Sequence, residues 1–198
     1  MTRIYRVVAV AAPPIAVIVV FLAGAATPGY DPVSRTVSRL AVPGVPAATS
    51  VDVSIALVAL ACFALAFGLT RGAAMGRLAL TASGVALLGA AIVHLDPASA
   101  AATAMHRVAS ACAVIGLTLA PLTLAPVYGR ISLAFGIAEL GMLVIGLGLL
   151  ATSFEAWGAW ERVLLAMPLA WMVLIAVRTD SMEETVSAKS ATLSRSGS

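Results

Sequence analysis

Six separate stretches of this chain are long and apolar enough to cross a bilayer: residues 7–24, 51–69, 78–94, 108–128, 131–152 and 160–177. A spanning helix needs about 20 largely apolar residues at about 1.5 Å rise each. The stretches meet that length with almost no charge inside them. Lipid is therefore the solvent for most of the protein, and every polar group at depth needs a reason to be there. The expected fold is all-α: a polytopic transmembrane bundle of six spanning helices, with short extracytoplasmic helices in the loops.

Only 11% of the residues are charged, against about a quarter in a soluble domain. The six spans take up most of the 198 residues. That leaves room for one bundle over residues 1–177 and none for a separate soluble domain. The first span follows Arg3 and Arg6, but its apolar run is longer than the core of an ordinary signal peptide. It is expected to stay in the protein. Residues 178–198 are polar and Ser-rich, without apolar periodicity. They read as a disordered tail.

The distribution of positive charge gives an orientation. With the N-terminus inside, Arg3, Arg6, Arg71, Arg77, Arg130, Arg178, Lys189 and Arg195 fall in the cytoplasm. Arg35, Arg39, Arg107 and Arg162 are left outside. The positive-inside rule selects this arrangement, in the cell membrane with both termini cytoplasmic. No basic run points to nucleic acid. Cys62 and Cys112 lie within spans at different depths and read as small apolar packing residues, with no CxxC or disulfide framework.

The cytoplasmic connections, 70–77 and 129–130, are short and force antiparallel neighbours. The outer ones carry more information. In the 25–50 loop, Asp31-Pro32 reads as an N-cap with proline at the first helical position. Val33, Val37 and Leu40 follow at helical spacing, with Ser34 and Ser38, and Arg35 and Arg39, in i,i+4 columns on the other side. This predicts a short amphipathic helix on the outer face, ended by Pro43, Gly44 and Pro46. Thr49 and Asp52 resemble a capping box opening the second span. Asp96-Pro97 repeats the Asp-Pro device and predicts a helix running through His106 into the fourth span. Trp157 and Trp160 suit the headgroup belt. Pro13, Pro14, Pro121, Pro126 and Pro168 interrupt spans, where neighbours must satisfy the freed carbonyls.

The loops also carry a family resemblance. Gly29-Tyr30-Asp31-Pro32, then Thr36-Val37-Ser38-Arg39-Leu40 and Pro43-Gly44, resemble the first loop of a bacterial and archaeal membrane family known as domain of unknown function 998. Its members have a similar loop with a Ser-x-Leu core, matched by Ser38 and Leu40. They tend to have an Asp after the third span and a His entering the fourth, matched by Asp96 and His106. Arg39 stands where an acidic residue is common, which weakens any role for a carboxylate there. The resemblance runs from about residue 7 to 177. It implies a helical membrane bundle and supplies no activity.

Both histidines and most carboxylates fall toward the outer end. His94, Asp96 and His106 offer three metal ligands with an open fourth position, as catalytic zinc requires. Ser38 or Ser110 with a His base and an Asp offers a nucleophile. Helix caps and loop hydrogen bonds explain the same residues without chemistry, and neither HExxH nor GxSxG is present. Arg35, Arg39 and Arg107 suit a lipid phosphate, or else salt bridges to Asp52, Asp96, Glu155 or Glu161. Glu139 stands alone, eight residues past Ile131 and so near mid-bilayer. A charge there costs roughly 3 kcal/mol or more. It should face the bundle interior, paired or protonated, as a ligand-binding group in a small polar cavity or as interhelical glue.

Three functions follow. One is binding or moving a small amphipathic or lipid-like molecule through an outward-facing polar cavity capped by the 25–50 loop. Another is a membrane-embedded enzyme at the outer interface, a metal-dependent hydrolase among the options. The third is an accessory or scaffold subunit of a membrane complex. The lipid bilayer is the one partner common to all three. No particular cofactor is indicated.

Overall fold

Six helices form the body: α1 Arg3–Ala26, α2 Ala48–Gly68, α3 Ala74–Ile92, α4 Ala100–Tyr128, α5 Arg130–Leu149 and α6 Trp157–Ser196. The structure, a computed structural model, describes residues 1–69 and 73–196, with side chains through Thr179. Each helix is long and apolar enough to cross a membrane, α6 over Trp157–Thr179. A 3-10 helix, Val37–Ala41, lies in the loop between α1 and α2. Consecutive helices pack side by side from α1 to α6, and α6 closes against α1. The expected disordered tail, 178–198, lies almost wholly outside the residues whose side chains are described.

Helix contact here rests on small residues. Ala9, Ala12, Ala61, Ala64, Ala120 and Ala176 are buried among Leu65, Leu80, Leu117, Leu124 and Trp171. Lipid tails are as apolar as leucine, so helices associate through close packing and interhelical hydrogen bonds. Gly116 of α4 shows how close: a Cβ there would meet Ser83 Oγ of α3 at 2.2 Å and the Ala79 carbonyl oxygen at 2.9 Å. A buried polar chain ties α4, α5 and α6 together. Trp171 Nε1 donates to Ser132 Oγ (3.0 Å), and Ser132 Oγ donates to the Pro121 carbonyl (2.8 Å). Gly129 alone joins α4 to α5, at φ 75° and ψ −163°, a backbone region that is essentially glycine's. Cys62 is buried and Cys112 exposed, and both are free.

The loops depart from expectation in three places. Asp31-Pro32 starts a capped turn rather than a helix. Asp31 Oδ1 accepts Val33 N–H (3.0 Å), and Oδ2 accepts Ser34 N–H (3.2 Å) and Ser34 Oγ–H (2.6 Å). The chain then goes extended at Thr36 and winds into the 3-10 helix. A helix fails because outside donors take its carbonyls, as described below. Asp96-Pro97 likewise makes a turn, with Asp96 Oδ1 accepting Ala98 N–H (2.8 Å). Ser99 is the residue that caps α4, accepting Ala102 N–H (3.2 Å). The capping box at Thr49 and Asp52 does not form: α2 begins earlier, at Ala48, without a side-chain cap. Asp52 is turned to His94 instead.

Candidate functional site

The loop between α1 and α2 is strapped across the start of α6. Ala159 N–H donates to the Val33 carbonyl at 2.9 Å. Arg162 Nη1 donates to the Pro32 carbonyl (2.6 Å) and the Arg35 carbonyl (3.2 Å), and Arg162 Nη2 to Tyr30 Oη (2.6 Å). Tyr30 Oη in turn donates toward the carbonyls of Arg35 and Thr36, each at 3.0 Å. The Glu161 carboxylate accepts Val37 N–H. The carbonyls of Pro32, Val33, Arg35 and Thr36 are thus bonded across to α6 or Tyr30. That exchange explains why the amphipathic pattern ends in a strap. Leu40, with no exposed surface, packs its far end beside Val51 of α2. Burial pushes the Tyr30 phenol pKa up, against the lowering effect of Arg162. The Ser34 hydroxyl bond and the Val33 amide hold Asp31 below its ordinary value.

Two cavities flank the strap. On one side is a polar cleft of about 980 Å³, walled by the strap, Leu95 and Pro97, the start of α4, and Trp157 with Glu161. Arg35, Arg39, Arg107, Ser38, His106 and Ser110 all line it. On the other side is an apolar slot of about 280 Å³ among α1, α2, α3, α4 and α6, bordered by Val37 and Arg162 and lined by Val17, Phe21, Val58 and Leu165. The cleft matches the upper end of ligand pockets, about 300–1,000 Å³, and the slot the lower end.

The three arginines read from the sequence as ligand-binding therefore share one cleft. The side chains of Arg39 and Arg107 make no hydrogen bond or ion pair with any described residue. Arg35 lies near enough to Asp31 to lower its pKa. The expected bridges to Asp52, Asp96, Glu155 and Glu161 are absent among the described residues. Ser38 and Ser110 are in the cleft wall.

His94, Asp96 and His106 do not come together as a metal site. Among the described residues, no three of His, Cys, Asp and Glu are grouped to hold a metal ion. Each of the three is engaged locally. His94 Nε2 pairs with Asp52 Oδ2 at 2.9 Å, tying the α3 end to α2. Asp96 holds its turn, its carbonyl also accepting Thr103 Oγ1–H (2.7 Å). His106 is 2% exposed, and its Nδ1 meets the carbonyls of Ala90 (3.1 Å) and Val93 (2.8 Å). It caps the carbonyls at the end of α3.

Glu139 is 1% exposed and faces the bundle, not lipid. It lies apart from the arginine cleft and lines neither cavity. Its polar neighbour is Thr118, whose hydroxyl donates to the Val114 carbonyl (2.9 Å). Neither Glu139 oxygen has a hydrogen-bond partner among the described residues. It is a buried group inside the α4–α5 packing.

A family model described as a protein of unknown function, DUF998, matches residues 10–178. The chain belongs to the DUF998 family. No curated protein and no solved structure matches it. The positions that carried the resemblance fall at the loop end of this DUF998 protein. Ser38 lines the cleft, Leu40 anchors the strap, Asp96 shapes the turn and His106 caps α3. The sequence reading gave no role to Arg162 and left Glu161 as a salt-bridge partner. The signal was present: two adjacent opposite charges, Glu161-Arg162, opening a span that is otherwise apolar. Trp157 and Trp160 read as separate anchors, but both pack edge-on against Phe154, with ring centroids 5.1 and 6.3 Å away.

Proposed function

We propose that this membrane protein binds an anionic amphipathic molecule of the bilayer, head group in the arginine cleft and alkyl chain in the apolar slot. The observation that carries the reading is the convergence of Arg35, Arg39 and Arg107 on one cleft with no carboxylate bonded to Arg39 or Arg107. A guanidinium fork suits a phosphate or carboxylate. An apolar slot bordered by Val37 and Arg162, the chain neighbours of the cleft residues Thr36, Ser38 and Glu161, supports an occupant that is polar at one end only. By the positive-inside rule we place this end outside and both termini in the cytoplasm.

The test is lipid competition on purified protein in a neutral detergent. A fluorescent single-chain anionic lipid should be displaced by anionic lipids and not by phosphatidylcholine. Arg39→Gln with Arg107→Gln should weaken anionic binding roughly tenfold or more, about one lost charged contact, and leave detergent stability unchanged. Equal displacement by anionic and zwitterionic lipids would sink the reading. The cleft holds no grouped metal ligands among the described residues.

A further inference from the structure

The free donors of the cleft come in pairs from two facing elements. Ser38 and Arg39 are neighbours on the 3-10 helix of the strap. Arg107 and Ser110 lie at i,i+3 spacing on α4, which sets them on one helix face. The 3-10 helix packs on α1, α2 and α6 and not on α4, and the cleft spans the gap between them. Both arginines are exposed and both serines half-buried, so a molecule in the cleft can reach all four. Neither guanidinium and neither hydroxyl bonds to any described residue. The hydroxyls of Ser54, Ser83 and Thr118 behave differently, each donating to the carbonyl four residues back. That is a common arrangement for a hydroxyl inside a helix, and Ser110 does not adopt it.

The charges of the cleft set what can sit between these donors. Arg35 lies beside Asp31. Glu161 is followed in the chain by Arg162 and accepts Val37 N–H. Asp96 is bonded into its own turn and is not part of the wall. Arg39 and Arg107 remain as two positive charges with no anion bonded to either. A carboxylate or a phosphodiester brings one negative charge. A terminal phosphate brings nearly two above its second pKa of about 6, with three acceptor oxygens.

We propose that the cleft selects an amphiphile ending in a phosphomonoester, with Arg39 and Arg107 neutralising its two charges and Ser38 and Ser110 donating to its oxygens. This rests on the proposed anionic amphiphile site and specifies its head group. The bound phosphate joins the strap to α4, which no direct packing of the 3-10 helix does.

The experiment compares phosphatidic acid, phosphatidylmethanol and phosphatidylcholine, with matched chains, on the unaltered protein in a neutral detergent. It is run at about pH 8, well past the second ionisation of a phosphomonoester. The first lipid is a phosphomonoester, the second a phosphodiester of single charge, and the third has no net charge. Phosphatidic acid should bind about tenfold tighter than phosphatidylmethanol, as expected of one further charged contact. Phosphatidylmethanol should in turn bind better than phosphatidylcholine. Equal binding of the two anionic lipids would overturn the phosphomonoester and leave the anionic site standing. Equal binding of all three would overturn both. Arg39→Gln and Arg107→Gln, made singly, should each bring the ratio of phosphatidic acid to phosphatidylmethanol binding close to one. A ratio that survives either substitution would show that the two arginines do not share one phosphate. Inorganic phosphate competing as well as phosphatidic acid would overturn the amphiphile as its source. The lipid comparison needs no variant, so it decides even where a substitution disturbs the loops.

Discussion

Gly158→Ala sets two physical effects against each other. Gly158 lies in the first turn of α6, where alanine is the better helix former by up to about 1 kcal/mol. On propensity alone the variant gains stability. The structure argues the reverse. A Cβ at Gly158 would meet the Arg35 carbonyl oxygen at 2.2 Å, the Arg35 carbonyl carbon at 2.6 Å and the Pro32 carbonyl oxygen at 2.6 Å. All three are backbone atoms of the strap, not the ends of flexible side chains. The strap must therefore lift. Lifting stretches the Ala159-to-Val33 bond (2.9 Å) and the contact of Val37 N–H with Glu161. A neutral bond is worth about 1 kcal/mol and one to a charged group about 1.5–3 kcal/mol. Overpacking alone costs about 1–3 kcal/mol. The strap should lose about 2–3 kcal/mol of attachment after the helix gain is subtracted.

Trypsin reads that loss directly. Its target at Arg35 has a scissile carbonyl held by Arg162 and Tyr30. When opening is fast relative to cleavage, the cutting rate follows the open population. Cleavage after Arg35 in detergent, scored by fragment mass, should rise roughly 30- to 150-fold in Gly158→Ala. Gly141→Ala is the matched control, because a Cβ there meets nothing within 4 Å. It should leave cleavage unchanged. Gly158→Ala with wild-type cleavage and equal or higher thermal stability would refute the close approach of strap and helix.

Three other outcomes follow from the same contacts. Ser132→Ala strands the buried Trp171 Nε1–H and should cost about 1–3 kcal/mol in denaturant unfolding. Adding Trp171→Phe should cost much less than a second independent loss, and strict additivity would count against the bond. Gly129→Ala forces a side chain onto φ 75°, ψ −163° and should destabilise by about 1–3 kcal/mol, against no effect if the α4–α5 joint is free to rearrange. The Tyr30 phenol is raised above 10.0 by burial, so its neutral form contributes stability in full below pH 10.0. That contribution fades as pH rises through the folded value. Thermal stability should fall in that alkaline range as tyrosinate absorbance appears, and Tyr30→Phe should be flatter there.

The spans were legible because their signal is physical and local. A run of apolar residues of bilayer length has few other uses, and all six became helices within a few residues of the expected bounds. α4 runs through His106 into the fourth span as expected, beginning at Ala100 because Ser99 rather than Asp96 caps it. The loop was harder. The Val33, Val37, Leu40 spacing correctly placed Leu40 against the bundle, but helical spacing holds no information about competing donors. Arg162 and Ala159 sit more than a hundred positions away in sequence and take the carbonyls a local helix needs. Arg35, Arg39 and Arg107, which the sequence sets on the outer loops, line one cleft. The particular partners of the two histidines were not legible, because pairing with Asp52 and with the α3 carbonyls depends on helix register across the bundle.

The exposed positive charge of the cleft has a structural origin in what the nearby carboxylates do. Asp31 bonds its own turn, Asp96 bonds the next, Asp52 takes His94, and Glu161 takes Val37 N–H. Glu139 lies apart from them between α4 and α5. Each of these four is engaged in holding a loop or helix end in place, and Glu155, in the α5–α6 connection, does not line the cleft. The guanidiniums do not divide evenly: Arg162 is bound up in the strap, while Arg39 and Arg107 are left facing the cleft. A charge-balanced set of loops can thus produce a local excess of positive charge, since anions and cations serve different structural tasks. The argument also says how the cleft would be neutralised. Freeing Glu161 from Val37 by losing the strap would return a carboxylate to the same wall it already lines. Anion binding should therefore weaken in Gly158→Ala even though no arginine has been touched. Unchanged anionic-lipid affinity in that variant, with the strap shown by trypsin to be open, would separate the strap from the cleft.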